Sequence, residues 1–316
     1  MNLQKIAKLA GVSPSTVSRV FSHHPRISEE VRQRVLALAE EYNYHPKLAA
    51  RQRNIVILTP DESGYPAHYC VEVLVIALSG ELAKHNFRVE ILPWHSRKRL
   101  DNIQFYGAAA VGLQPEEFQD WNRNFAQPLV VLDRELPKPY PGVWEVSSNE
   151  KQAMQLAVSH LRERGLEKIG CLIYGEAGVG KTDLRFREAR AALRQFNYPC
   201  NDELLFIASQ STSVELVGKL LSRGVDALLC PGQSGGLLTA YALSLFGKRI
   251  PQDISLISTE ISFFSPYSTP PQTTLNPDYP RLAGKAVEVF QAFLAGEHHP
   301  ARTILPYSLI QRESVR

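Results

Sequence analysis

One run of residues has the types and spacing to handle phosphate. Gly175-Glu176-Ala177-Gly178-Val179-Gly180-Lys181-Thr182 fits the pattern GxxxxGK[ST]. It follows an apolar segment at 169–174 and precedes a helical one. In that context backbone N–H groups and a helix N-terminus cradle phosphates, the lysine neutralises their charge and the threonine holds Mg²⁺. Hydrolysis would also need an acid at a strand end. Asp133 is the best placed, whereas Asp226 starts its strand. Gly-rich strand-to-helix turns are common, so a nucleotide-binding or hydrolysing P-loop is kept as the alternative reading, beside a phosphate-bearing ligand at this helix N-terminus. No Ser-His-Asp or Cys-His arrangement is readable. His23-His24 and His298-His299 lie in polar stretches and read as solvated. Cys70, Cys171, Cys200 and Cys230 are far apart and form no CxxC pair, so they read as buried reduced thiols. No cofactor, metal or catalytic residue is expected.

A second set of residues could bind a polyanion. The 316-residue chain carries a net +3, but residues 1–53 alone carry nine Lys/Arg and four acids, and the remainder is slightly negative. Within that basic head, Ser13, Ser15, Thr16, Ser18 and Arg19 share a short, polar, singly cationic stretch. Such a face suits insertion into the DNA major groove.

The elements that must position these residues follow from patterning. Leu3, Ile6, Ala7 and Ala10 have helical spacing, Gly11 breaks the helix, and Ser13-Pro14 starts another, with Ser13 as N-cap. Val17 and Val20 then face inward. A third helix is predicted from an N-cap at Ser28 to about Tyr42, with Val31, Val35, Leu38, Ala39 and Tyr42 as its apolar stripe. This is a helix-turn-helix with a supporting helix. From residue 54 the pattern changes. Apolar strand candidates lie at 55–58, 88–92, 108–112, 129–132, 169–174, 205–207, 226–230 and 254–258. Helical patterns at 70–85, 149–164, 183–196, 213–223 and 235–246 separate most of them, which predicts parallel sheets covered on both faces. No apolar run approaches the roughly 20 residues that span a bilayer. Met1 to Ile6 lacks a signal peptide's apolar stretch, so a cytoplasmic location is expected.

The run from Ile6 to Val20 (IAKLAGVSPSTVSRV) resembles the N-terminal signature of lac-repressor-type (LacI/GalR) transcriptional regulators, and Ile27-Ser28, Arg34-Val35 and Tyr44-His45-Pro46 fall where that family's third helix and exit lie. The resemblance implies that Pro14, Ser15 and Arg19 meet base edges while Ser13, Thr16 and Ser18 position the phosphate backbone. Arg26, Lys47, Arg51 and Arg53 complete the expected DNA-binding set. The linker departs from the family. Only Lys47 to Arg53 separate Pro46 from the first strand, several residues short of the usual hinge, and Arg53 stands where a minor-groove leucine is expected.

The body resembles the same family through Pro128-Leu129-Val130-Val131-Leu132-Asp133-Arg134, Lys168-Ile169-Gly170, the segment 249–257 and the segment 269–275. This implies a periplasmic-binding-protein-like body of two doubly wound parallel-sheet lobes closing on a small molecule. The expected organisation is a helix-turn-helix domain at 1–45, a short hinge at 46–54 and a body at 55–316. Its lobes would be 55–147 plus 276–300, and 148–275 plus the C-terminal segment. Arg185 aligns with the arginine that usually grips sugar hydroxyls. Gly232-Gln233 replace an Asn-Asp pair, Glu260 stands for an Asp, and Ser148 stands for the crossover Asp. Arg185, Gln233, Glu260 and Ser148 are thus the candidate effector contacts. The implied partners are a near-palindromic operator DNA, a sugar or phosphorylated metabolite, and a second copy of the chain.

Overall fold

The computed structural model describes residues 3–21, 27–42, 44, 53–61, 69–178, 180–232 and 234–316. The head is three helices, α1 (Leu3–Ala10), α2 (Pro14–Phe21) and α3 (Glu29–Glu41). Gly11, at φ +64°, makes the turn after α1, and the Thr16 amide donates to Ser13 Oγ at 3.0 Å, capping α2. Ile6, Ala7, Ala10, Val17, Val20, Val35 and Ala39 form the head's core. The aromatic that seals it is Tyr44, packed edge-on against Phe21, and not the expected Tyr42, which is exposed. The third helix ends at Glu41, so Tyr42 has left its inward stripe.

The body contains, in chain order, β1 (Asn54–Thr59), α4 (Tyr69–Lys84), β2 (Arg88–Pro93), β3 (Gly107–Val111), α5 (Trp121–Asn124), β4 (Leu129–Leu132), β5 (Val143–Ser148), α6 (Glu150–Glu163) and β6 (Ile169–Tyr174). There follow α7 (Gly180–Gln195), β7 (Leu205–Ala208), α8 (Ser213–Ser222), β8 (Ala227–Cys230), α9 (Gly235–Leu245), β9 (Ser255–Thr259), β10 (Thr273–Asn276), α10 (Tyr279–Ala295), β11 (Arg302–Leu305) and β12 (Ser308–Ile310). They make two six-stranded sheets, ordered β11-β5-β4-β3-β1-β2 and β12-β10-β9-β8-β6-β7. Every pairing is parallel except that of β12 with β10. Central strands such as β1, β3 and β4 are buried on both faces and therefore read as continuous apolar runs.

Helices α4 and α10 cover one face of the first sheet, and α6 and α7 one face of the second. On the opposite face of the second sheet, α8 and α9 complete the layer. The chain passes between the sheets after β5, after β10, and between β11 and β12.

Strand β5 lies outside the expected strands because Glu145, Ser147 and Ser148 interrupt its apolar run. Here those groups are satisfied internally. Glu145 accepts from the Leu136 amide at 3.1 Å, from Ser147 Oγ at 2.6 Å and from Arg302 Nε at 3.0 Å. The helix expected over 183–196 starts three residues earlier, at Gly180, which puts Lys181 and Thr182 on its first turn. No helix among the described residues is long and apolar enough to cross a membrane.

Candidate functional site

On the head, the capped start of α2 presents Ser13, Pro14, Ser15 and Arg19 to the outside, while Thr16 and Ser18 are half-buried. Ser13 Oγ lies 2.7 Å from Ser15 Oγ and 2.8 Å from Thr16 Oγ1, a hydroxyl cluster over the N-terminal, positive end of the helix. Arg53 is half-buried beside the root of β1, where its carbonyl accepts from the Arg88 amide at 2.9 Å, so it is anchored to the body. Arg26, Lys47 and Arg51 lie outside the described residues, as does most of the expected hinge.

A dense charge network spans the crossings between the lobes. Asp133 sits at the end of β4 in the left-handed region, φ +52°. It accepts from Ser148 Oγ at 2.9 Å and forms an ion pair with Lys181, which reaches over from the first turn of α7. Lys181 Nζ also lies 3.2 Å from Glu150 Oε1. Glu150, the first residue of α6, receives Arg185 Nε at 2.9 Å and Tyr307 Oη at 2.7 Å. Asn149 caps α6 by accepting from the Gln152 amide at 3.0 Å, which fixes Glu150 at the helix start. Tyr307, between β11 and β12, is held through its peptide by the Gln152 side chain. Residues from the crossing after β5 and from the one between β11 and β12 thus converge with Lys181 and Arg185 of α7 on two carboxylates.

The network sets its own protonation. Burial alone would push the Glu150 carboxyl up, but the charges of Arg185 and Lys181 prevail and hold it at about 2. Burial opposes the charge on Arg185, yet Glu150 overcomes it and raises its pKa well above the ordinary value. Burial also raises the Tyr307 phenol, and the Glu150 charge adds to it, so its proton stays on the hydroxyl that donates to Glu150.

Two of the sequence-predicted effector residues, Ser148 and Arg185, belong to this network. Glu260 does not. Together with Thr274, Arg312 holds it in a buried clasp, donating from Nη1 at 2.8 Å and Nη2 at 3.0 Å. The clasp ties the C-terminal segment to β9 and β10. Gln233 lies outside the described residues. Its neighbour Gly232, at φ +120°, has no room for a side chain, since a Cβ would fall 2.4 Å from the Tyr174 carbonyl oxygen. That explains why glycine stands where the resemblance expected asparagine.

The P-loop alternative gains no support. The Lys181 ammonium is committed to Asp133 and Glu150, and the Gly178 amide donates to Asp183 Oδ1 at 3.1 Å. Thr182 is buried with its hydroxyl against the loop, 2.2 Å from where a Cβ on Gly175 would lie. These donors serve the protein's own groups instead of a triphosphate.

Sequence reasoning missed Glu150, Tyr307 and Arg134 as site residues. Glu150 carried a faint signal, an acid directly after the Asn149 cap. Tyr307 carried none, because its partner is 157 positions away. Arg134 follows Asp133 and is buried at the end of β4, where Nη2 donates to the Gly112 carbonyl at 3.2 Å.

Comparison with known proteins matches residues 2–47 to the family of bacterial regulatory proteins, lacI family, and residues 158–315 to the periplasmic binding protein-like domain. The HTH-type transcriptional repressor PurR of Aliivibrio salmonicida is 26% identical over 337 residues, covering 99% of this chain and 98% of that protein. Among solved structures, the complex of the transcriptional regulator CelR with cellobiose superposes with a TM-score of 0.70 at 22% identity, covering 99% of both chains. The lac repressor dimer bound to operator and the anti-inducer ONPF superposes with a TM-score of 0.69 at 20% identity, covering 99% of this chain and 98% of that one. Both structural likenesses extend over head and body alike.

Proposed function

The chain belongs to the lacI family of bacterial regulatory proteins, and on that premise we propose that it is a sequence-specific DNA-binding transcriptional repressor controlled by a small molecule bound between its lobes. The observation that carries this reading is the exposed Pro14-Ser15-Arg19 face on a Ser13-capped helix. Pro14, Ser15 and Arg19 read base edges, and Ser13, Thr16 and Ser18 position the phosphate backbone. Arg26, Lys47, Arg51 and Arg53 add charge on the backbone. The repressor sense follows PurR, whose name states it.

The working form is a homodimer in the cytoplasm, reading a near-palindrome with two heads. Support for a dimer comes from α9, where Leu237, Tyr241 and Leu245 recur at helical spacing and all stand exposed. The chain acts by binding and not by turnover. The effector, a sugar or a phosphorylated metabolite, occupies the cleft beside Ser148 and Arg185. It works by favouring one lobe arrangement over another, which requires different affinity for the two. The lobe arrangement then sets the spacing of the two heads.

The test is selection of genomic DNA fragments by the purified full-length protein at near-physiological salt, read by sequencing. A recovered palindrome supports the reading. Fragments without a shared sequence reject it.

A further inference from the structure

Arg134 is the unbalanced charge of the cleft. It is 9% exposed, and beyond the Nη2 bond to Gly112 its Nε and Nη1 atoms are buried without a hydrogen-bond partner among the described residues. Its neighbours cannot supply one. Asp133 is taken by Lys181 and Ser148, and Glu150 by Arg185, Lys181 and Tyr307. Glu117, the remaining carboxylate that acts on Arg134, is exposed and accepts from the Gln114 amide at 2.7 Å. Two buried carboxylates therefore face three cations.

A guanidinium does not escape by losing its proton. Left buried with idle donors on two nitrogens, it is costly, and the cost is removed by a partner that brings both acceptors and charge. A neutral sugar hydroxyl brings only the acceptor. An oxyanion brings both, in the planar, two-oxygen geometry that the guanidinium fork matches. The location fits a ligand. Gly112 and Arg134 follow β3 and β4, adjacent parallel strands, at the carboxyl ends where open α/β sheets bind their ligands.

We propose that Arg134 anchors an oxyanion of the effector, a carboxylate or a phosphate, so that the molecule sensed is a small acid and not a neutral sugar. This rests on reading the cleft as an effector site. It narrows that reading to a ligand class.

The test uses the full-length protein, wild type and Arg134→Met, at low salt. Calorimetry and thermal unfolding compare D-gluconate and D-glucuronate with D-glucose 6-phosphate, inorganic phosphate and neutral D-glucose. At least one anion is expected to bind wild type about tenfold or more tightly than glucose does, as a charge-assisted pair requires. Arg134→Met is expected to lose that advantage while raising the Tm of the unliganded protein by about 2–4 °C, because an unpaired buried charge has gone. Carboxylates responding without phosphates, or the reverse, assigns the source of the oxyanion. No anion-dependent response at millimolar concentration overturns the proposal, as does anion binding that survives in Arg134→Met. The readout is binding and not release of DNA. Loss of operator recognition with anion binding intact would reject the repressor reading alone.

Discussion

Lys181, on the first turn of α7 in the second lobe, is ion-paired to Asp133 at the end of β4 in the first. A lysine whose spacing advertises phosphate binding is thus an inter-lobe tie. Lys181→Met and Asp133→Asn are expected to be non-additive by roughly 1–3 kcal/mol in a double-mutant cycle of urea unfolding. Strict additivity would show that the two side chains do not act on each other. ATP is expected to leave the Tm unchanged in wild type and in Lys181→Met alike.

Glu150 is the hub on which two cations depend. Glu150→Gln leaves Arg185 and Lys181 short of countercharge in a buried site, so a loss of about 3–5 kcal/mol is expected in chemical denaturation. The wild-type pH dependence has a definite sign. Arg185 and Lys181 hold the folded carboxyl at about 2, below its ordinary 4.5, so its stabilisation is full above pH 4.5 and is lost as pH falls toward 2. A shift of that size corresponds to about 3 kcal/mol. Glu150→Gln should flatten the stability profile across that window. An unchanged acid limb would place the titrating group elsewhere.

Glu260 separates stability from ligand binding. Its carboxylate is held by Arg312, so Glu260→Gln is expected to cost roughly 2–4 kcal/mol of folding stability. Effector affinity should change less than that, and Arg312→Ala should show the same pattern. A selective loss of effector affinity at unchanged stability would return Glu260 to the cleft.

The head was legible because its signals are local. Ser13 caps three residues ahead, Gly11 turns in place, and Ile6, Val17 and Val20 face inward by periodicity alone. The strands of the body were legible wherever both faces are buried and the run is purely apolar. Strand β5 was not, because its polar groups are satisfied by Arg302, 157 positions away. The cleft was the least legible part. Arg185 could be picked out by alignment, but its pairing with Glu150 spans 35 positions and that of Lys181 with Asp133 spans 48. A linear pattern cannot reveal that a conspicuous cation already has a carboxylate partner, or, for Arg134, that a plain one has none among the described residues.

The hinge cations are expected to act on general rather than specific DNA affinity. Arg51→Ala is expected to weaken binding to all sequences and to lower the salt slope by about 1, since each released phosphate contact carries that slope. A slope equal to wild type would remove Arg51 from the phosphate contacts.

The exposed face of α2 is expected to read DNA sequence, and titrating the selected duplex against a scrambled duplex at one fixed salt concentration checks this. Wild type is expected to prefer the selected duplex by about 10³-fold or more. Arg19→Ala should lose much of that preference while keeping its affinity for the scrambled duplex. Equal wild-type affinity for the two duplexes, or an equal loss on both in Arg19→Ala, would contradict it.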